Sequence, residues 1–268
     1  MDWNAAYSNV DHVANAASFP ARWQEEAATF RTAMTGRAQL NVAYGPGARE
    51  RYDLFQPEGP PKGLAVFVHG GYWHKHDKAV FSAKASGALT RGWAVAMIGY
   101  TLCPDVRIRA ITTQIQAAVI HAAGHAGGPI ALSGHSAGGH LATRMMCEDI
   151  ALPEDVAQRI CNVVSISGVH DLRPLLRTQM NNVLGLDARE ATAESPVLAL
   201  PRPGTRITCW VGGAELPEFR RQNALLANIW TGMGAEMTAH EAPGKNHFNV
   251  IEELSDPQSA LVQAWLED

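Results

Sequence analysis

Five short apolar runs, Leu64 to Val68, Trp93 to Ile98, Ile130 to Leu132, Val163 to Ile166 and Ile207 to Val211, divide the middle of the chain. Runs this short and this uniformly apolar predict strands buried on both faces, and most lead through a Gly-containing loop into a helical segment. Alternating buried strand and helix predicts an α/β fold, a mainly parallel sheet with helices on both faces.

The flanks have a different rhythm. Residues 20–36 begin with Pro, carry acids early and Arg later, and stop at Gly36, which predicts a helix preceded by a polar arm. Residues 39–44 and 50–56 predict an antiparallel edge hairpin turned at Gly45, Pro46 and Gly47. Glu236 to Ala242 predicts a last strand, followed by a polar loop and a final helix. One connection is long: in residues 170–204, Leu172, Leu175, Leu176, Met180, Leu184 and Leu186 sit among Arg, Pro and Gly, the pattern of a small cap insertion over a site. The expectation is one domain spanning residues 1–268.

Composition narrows the class of partner. At 268 residues and 46% hydrophobic the chain can bury one large core. A formal net charge of −4, a pI near 6.3 and the lack of a dense Lys/Arg run argue against nucleic acid and anionic membrane, and favour a small-molecule substrate. The start, Met1-Asp2-Trp3-Asn4-Ala5-Ala6, has no basic segment followed by an apolar one, and no stretch has the length of a membrane span, so a cytoplasmic protein is expected. A homodimer stays open. Cys103, Cys147, Cys161 and Cys209 are scattered and form no C-x-x-C pair, so reduced, mostly buried thiols are expected.

The chemistry centres on Gly134-His135-Ser136-Ala137-Gly138, set between an apolar run and a helical segment. Strand, tight turn and helix make a nucleophile elbow, in which the residues two before and two after the serine must be nearly free of side chain. Gly134 and Gly138 meet that demand, Ser136 is the candidate nucleophile, and the Ala137 N–H at the helix start is one donor for a developing oxyanion. A phosphate-cradling loop is disfavoured because no G-K-[ST] follows and the spacing is not G-x-G-x-x-G.

A base and an acid should follow in that order of function: serine, acid, histidine along the chain. His247, in the polar loop Gly244-Lys245-Asn246-His247-Phe248, is the candidate base. The loop after the Ile207 run offers Glu215 at the strand end and Glu218 in the first turn of the next helix; Glu215 is preferred as the acid, with the choice between them left to geometry. His69-Gly70-Gly71-Tyr72-Trp73 follows the Leu64 strand, and its two glycines can turn amide N–H groups toward the elbow. His74, His76 and Asp77 suggest a metal cluster, disfavoured because no separated third ligand accompanies them, so neither metal nor cofactor is expected. His135 and His140 flank the serine and are read as packing or site-shaping groups, while Tyr72 and Trp73 are candidate aromatic walls.

Assembled, these residues resemble the α/β-hydrolase superfamily over nearly the whole chain, and within it the kynurenine formamidase (arylformamidase) branch. His69-Gly70-Gly71-Tyr72-Trp73 resembles its H-G-G-x-W loop, Tyr100-Thr101-Leu102-Cys103-Pro104 its Y-x-L-C-P segment, and Ser167-Gly168-Val169-His170-Asp171-Leu172 the S-G-x-x-D-L run that opens its cap. The resemblance implies a serine hydrolase with Ser136, Glu215 and His247 as triad and the Gly71, Tyr72 and Ala137 amides as oxyanion hole. Many bacterial members of the branch are similar to generic esterases, so the family does not fix the substrate; N-formyl-L-kynurenine is the leading one, with Trp73 and His135 as candidate pocket residues. The branch usually carries Asp where this chain has Glu215. A short-chain carboxylesterase with the same machinery, a metal-dependent hydrolase and a non-catalytic binding protein of the same fold are the competing readings.

Overall fold

The apolar runs pair side by side. In the computed structural model, which describes residues 2–266, eight strands form one sheet: β1 Ala38–Ala43, β2 Arg51–Phe55, β3 Leu64–Val68, β4 Ala94–Ile98, β5 Ile130–His135, β6 Ile160–Ile166, β7 Arg206–Gly212 and β8 Glu236–Ala242. Their spatial order is β1-β2-β4-β3-β5-β6-β7-β8. The β1–β2 and β2–β4 pairs are antiparallel and the other five parallel, so the expected hairpin sits at one edge of a mainly parallel sheet.

Side chains leave successive residues of a strand on opposite faces, so each apolar run feeds two cores. Leu64, Val66 and Val68 join Ala96, Ile98 and Leu132 on one face, under Ile111 and Ile115 of helix Ile108–Ala122, Leu141 of helix Ala137–Arg144 and Leu226 of helix Pro217–Thr231. Ala65 and Phe67 join Val95, Met97 and Ala131 on the other, under Trp23 of helix Ser18–Ala33 and Leu261 and Trp265 of helix Ala260–Leu266. Every residue of β3 and β4 is buried, which explains why these runs lack polar alternation.

The structure adds to the sequence reading in three places. β6 begins at Ile160, three residues before the apolar run, because the side-chain amide of the buried Asn162 donates to the main chain of Ala264 and Trp265 and so tolerates the interior. The polar arm is built structure: helices Trp3–Tyr7 and Asn9–His12, the first capped by Asp2, carry Tyr7 and Asn9 into the protein. Residues 170–204, between β6 and β7, are short helical turns whose Leu172, Leu175, Leu184 and Leu186 join the first core. Arg107 on Glu190 (2.8 Å) and Thr112 on Glu194 (2.7 Å) fasten this connection to helix Ile108–Ala122. Among the described residues no helix is long and apolar enough to cross a membrane.

Phe67 is 1% exposed and packs between Phe81 and Trp265, with ring centroids 6.3 and 6.4 Å away. Phe67→Ala should therefore cost about 3–5 kcal/mol of unfolding free energy. Urea titration would show this as a lower midpoint at unchanged slope, and an unshifted midpoint would contradict the packing.

Candidate active site

Strand β5 ends at His135 and the next helix starts at Ala137, leaving Ser136 alone to make the turn at φ 56° and ψ −117°. A residue other than glycine at positive φ is held only by surroundings that leave it no alternative. Here they are close: a Cβ on Gly134 would lie 2.1 Å from the Gly138 carbonyl oxygen, and one on Gly138 would lie 2.0 Å from that of Val68. Strand, turn and helix pass where only hydrogen fits. The Ser136 N–H donates to the Ile166 carbonyl (2.7 Å), which ties the elbow to the end of β6.

His247 arrives on the loop after β8. Its Nδ1 lies 2.6 Å from Glu215 Oε2, and since the carboxylate oxygen accepts, Nδ1–H is the donor. The other oxygen of Glu215 accepts from the Gly212 N–H (2.8 Å) and from Ser167 Oγ (2.5 Å), giving the buried carboxylate three donors. Glu218 points elsewhere, accepting from Tyr7 Oη (2.7 Å), Gln222 and Arg221. The imidazole of His247 is held between the rings of Phe219 (4.6 Å) and His135 (4.7 Å), and His135 Nε2 donates to the His247 carbonyl (2.8 Å).

The glycine loop after β3 turns through three successive positive φ values, 120° at Gly71, 53° at Tyr72 and 59° at Trp73. A Cβ on Gly70 would come within 3.1 Å of Ser136 Cβ, so this loop lies directly against the serine. It is braced from below by the Y-x-L-C-P segment: Tyr100 stacks on His69 at 4.4 Å and donates to its carbonyl (2.9 Å), and the Cys103 N–H donates to the Trp73 carbonyl (2.9 Å). From above, Tyr72 Oη donates to the Tyr7 carbonyl (3.0 Å) and accepts from Asn9 Nδ2 (3.3 Å).

Ser136 and His247 line one cavity of about 30 Å³ with Gly70, Gly71, Tyr72, His76 and His135. Its remaining walls are Trp23, Phe81 and Phe248, none singled out by the sequence. Phe248, next to His247, could have been found from its position; Trp23 and Phe81 come from segments with no motif. Trp73 is a correction: its side chain is 1% exposed, belongs to the first core and meets His140 edge-on (5.2 Å), so it does not line this cavity. A larger cleft of about 630 Å³ shares Tyr72 and runs between the N-terminal arm and Thr178, Gln179, Met180 and Val183.

Asp77 caps the following helical turn through the Ala79 N–H (3.0 Å) and pairs with Arg49 (3.2 Å), which engages the carboxylate of the suggested metal cluster. Among the described residues no group of three His, Cys, Asp or Glu is placed to hold a metal ion.

Residues 52–196 match the BD-FAE family. The kynurenine formamidase of Salmo salar is 30% identical over 238 residues, 85% of this chain and 80% of its own. The crystal structure of a candidate thioesterase from a Silicibacter species is 51% identical and superposes with a TM-score of 0.94, covering 99% of both chains. An esterase from Pyrobaculum calidifontis superposes with a TM-score of 0.70 over 94% of this chain and 91% of its own, a likeness of fold at 17% identity.

Four buried imidazoles surround the site. Burial lowers the pKa of His69 to about 4 and of His140 and His170 to about 3, and holds His135 well below its ordinary value. His69 Nε2 and the Nδ1 atoms of His140 and His170 have no partner that could accept from a protonated ring. In the unfolded chain each ring takes a proton near pH 6.5, while in the fold it does not until near pH 3–4. Unfolded protein thus binds more protons across that window, so stability is full above pH 6.5 and falls as the pH is lowered through it. Urea midpoints at pH 7.5 and 5 would test this, with His170→Asn reducing the slope; a flat profile would contradict neutral rings.

Proposed function

We infer the chemistry of this chain from the premise that it belongs to the BD-FAE family, is an α/β-hydrolase, and aligns over most of its length with kynurenine formamidases. The proposal is a metal-free serine hydrolase of small aryl formamides, with N-formyl-L-kynurenine as the leading substrate, which would place it in tryptophan breakdown.

The observation that carries the reading is the convergence of Ser136, His247 and the Gly70–Tyr72 loop on one small cavity, with Glu215 2.6 Å behind the imidazole. In this mechanism His247 Nε2 removes the Ser136 proton as Oγ attacks the formyl carbon. The negative charge that forms on the carbonyl oxygen is stabilised by the Gly71, Tyr72 and Ala137 amides. Glu215, oriented by the Gly212 N–H and Ser167 Oγ, fixes the tautomer and stabilises the imidazolium. His247 then gives the proton to the departing aniline nitrogen, and water, activated by the same base, releases formate from the formyl-enzyme.

Cavity size supports a one-carbon acyl group. At about 30 Å³, walled by Trp23, Phe81 and Phe248, the space beside Ser136 favours a small acyl group. The aryl leaving group would extend past Tyr72 toward the larger cleft, to which residues 178–183 of the proposed cap contribute. A second reading, hydrolysis of a small-acyl ester or thioester, is favoured by the 51% identity to the candidate thioesterase and uses the same groups.

Rates on N-formyl-L-kynurenine, short p-nitrophenyl esters and acetyl thioesters would decide between them, the expected result being the highest kcat/KM on the formamide. Ser136→Ala and His247→Ala should each lower kcat by about 10⁴-fold or more, and wild-type turnover by either variant would refute the serine mechanism. Phe248→Ala, which removes one wall of the cavity, should shift the acetate-over-butyrate preference by about tenfold toward butyrate; an unchanged ratio would mean that the acyl group lies elsewhere.

A further inference from the structure

Resting on the serine-hydrolase reading, we propose that Ser167 is a positioning residue of the reaction, a fourth polar member that acts through Glu215. Ser167 is wholly buried, and its Oγ donates to Glu215 Oε1 at 2.5 Å, on the carboxylate that holds His247. Its backbone is strained: φ is 52°, a left-handed conformation that a serine adopts only when its surroundings impose it. Two contacts impose it. The Ser167 N–H donates to the Trp210 carbonyl on β7 (2.6 Å), and the next residue, Gly168, has no space for a side chain, since a Cβ there would lie 2.2 Å from Ser165 Oγ.

The position has a mechanical logic. Ile166 accepts from the Ser136 N–H, and its neighbour Ser167 bonds both the strand that precedes Glu215 and the Glu215 carboxylate itself. One peptide at the end of β6 therefore fixes the nucleophile on one side and the acid on the other. A glutamate side chain has one more rotatable bond than an aspartate, and a carboxylate on the longer arm needs a further anchor to hold one orientation. Ser167 Oγ and the Gly212 N–H hold one oxygen and leave the other for His247.

The test is steady-state kinetics of Ser167→Ala and Ser167→Gly, the second of which keeps the backbone free to adopt positive φ. Losing a buried hydrogen bond to a charged group should lower kcat by about 10- to 100-fold in both variants, with KM changed less than about twofold. In a Glu215→Ala background Ser167→Ala should cost less than about twofold more, because its effect passes through the carboxylate. Wild-type kcat in both single variants, or a full further loss in the Glu215→Ala background, would overturn the role of Ser167 while leaving the triad intact. Activity retained by Ser136→Ala would instead remove the underlying mechanism, and the role of Ser167 with it.

Discussion

The approach of the Ala137–Arg144 helix to β3 is the constraint on which the site depends. Gly138 passes so close to the Val68 carbonyl, and Gly134 to that of Gly138, that a single methyl at either position would displace the backbone. This closeness leaves Ser136 the only residue between strand and helix and drives it to positive φ, with its side chain beside the glycine loop that β3 itself leads into. The proposed nucleophile and the proposed oxyanion donors are thus brought together by one packing contact, and the strain at the turn is offset by burial across two cores.

The architecture was legible because it is written locally. Uniform apolar runs mark strands buried on both faces, Gly-Pro-Gly marks the hairpin turn, and glycines at fixed offsets mark the elbow; each signal needs only neighbours along the chain. The pairing of Glu215 with His247 was anticipated by order along the chain, and hydrogen bonding separates Glu215 from Glu218 in a way that sequence alone does not, since both carboxylates lie within four residues.

What was not legible is what depends on distant partners. Trp23 and Phe81 reach the cavity from a helix and a turn whose sequence is compatible with any buried face, and Trp73 follows a motif yet points into the core. The N-terminal arm is the clearest case. The sequence marks it only as a polar arm, but Asn9 and Tyr7 are buried, with Tyr72 bonding the first and Glu218 and Gln222, more than 200 residues away, bonding the second. A polar residue reads as exposed until its partner is known.

That arm gives the site an unusual dependence in time. It touches the glycine loop through Tyr72, the acid loop through His12 on the Ala214 carbonyl and the long connection through Asn4 on the Gln179 N–H. The partners of Tyr7, His12 and Asn4 lie 211, 202 and 175 residues downstream. Contacts of such separation form only after the entropy of closing very long loops has been met, so this arm is among the last segments to find its place. A chain can hold its sheet and its elbow and still lack one wall of the larger cleft until helices Trp3–Tyr7 and Asn9–His12 have docked, so a finished cleft reports that segments more than 170 residues apart have closed on one another.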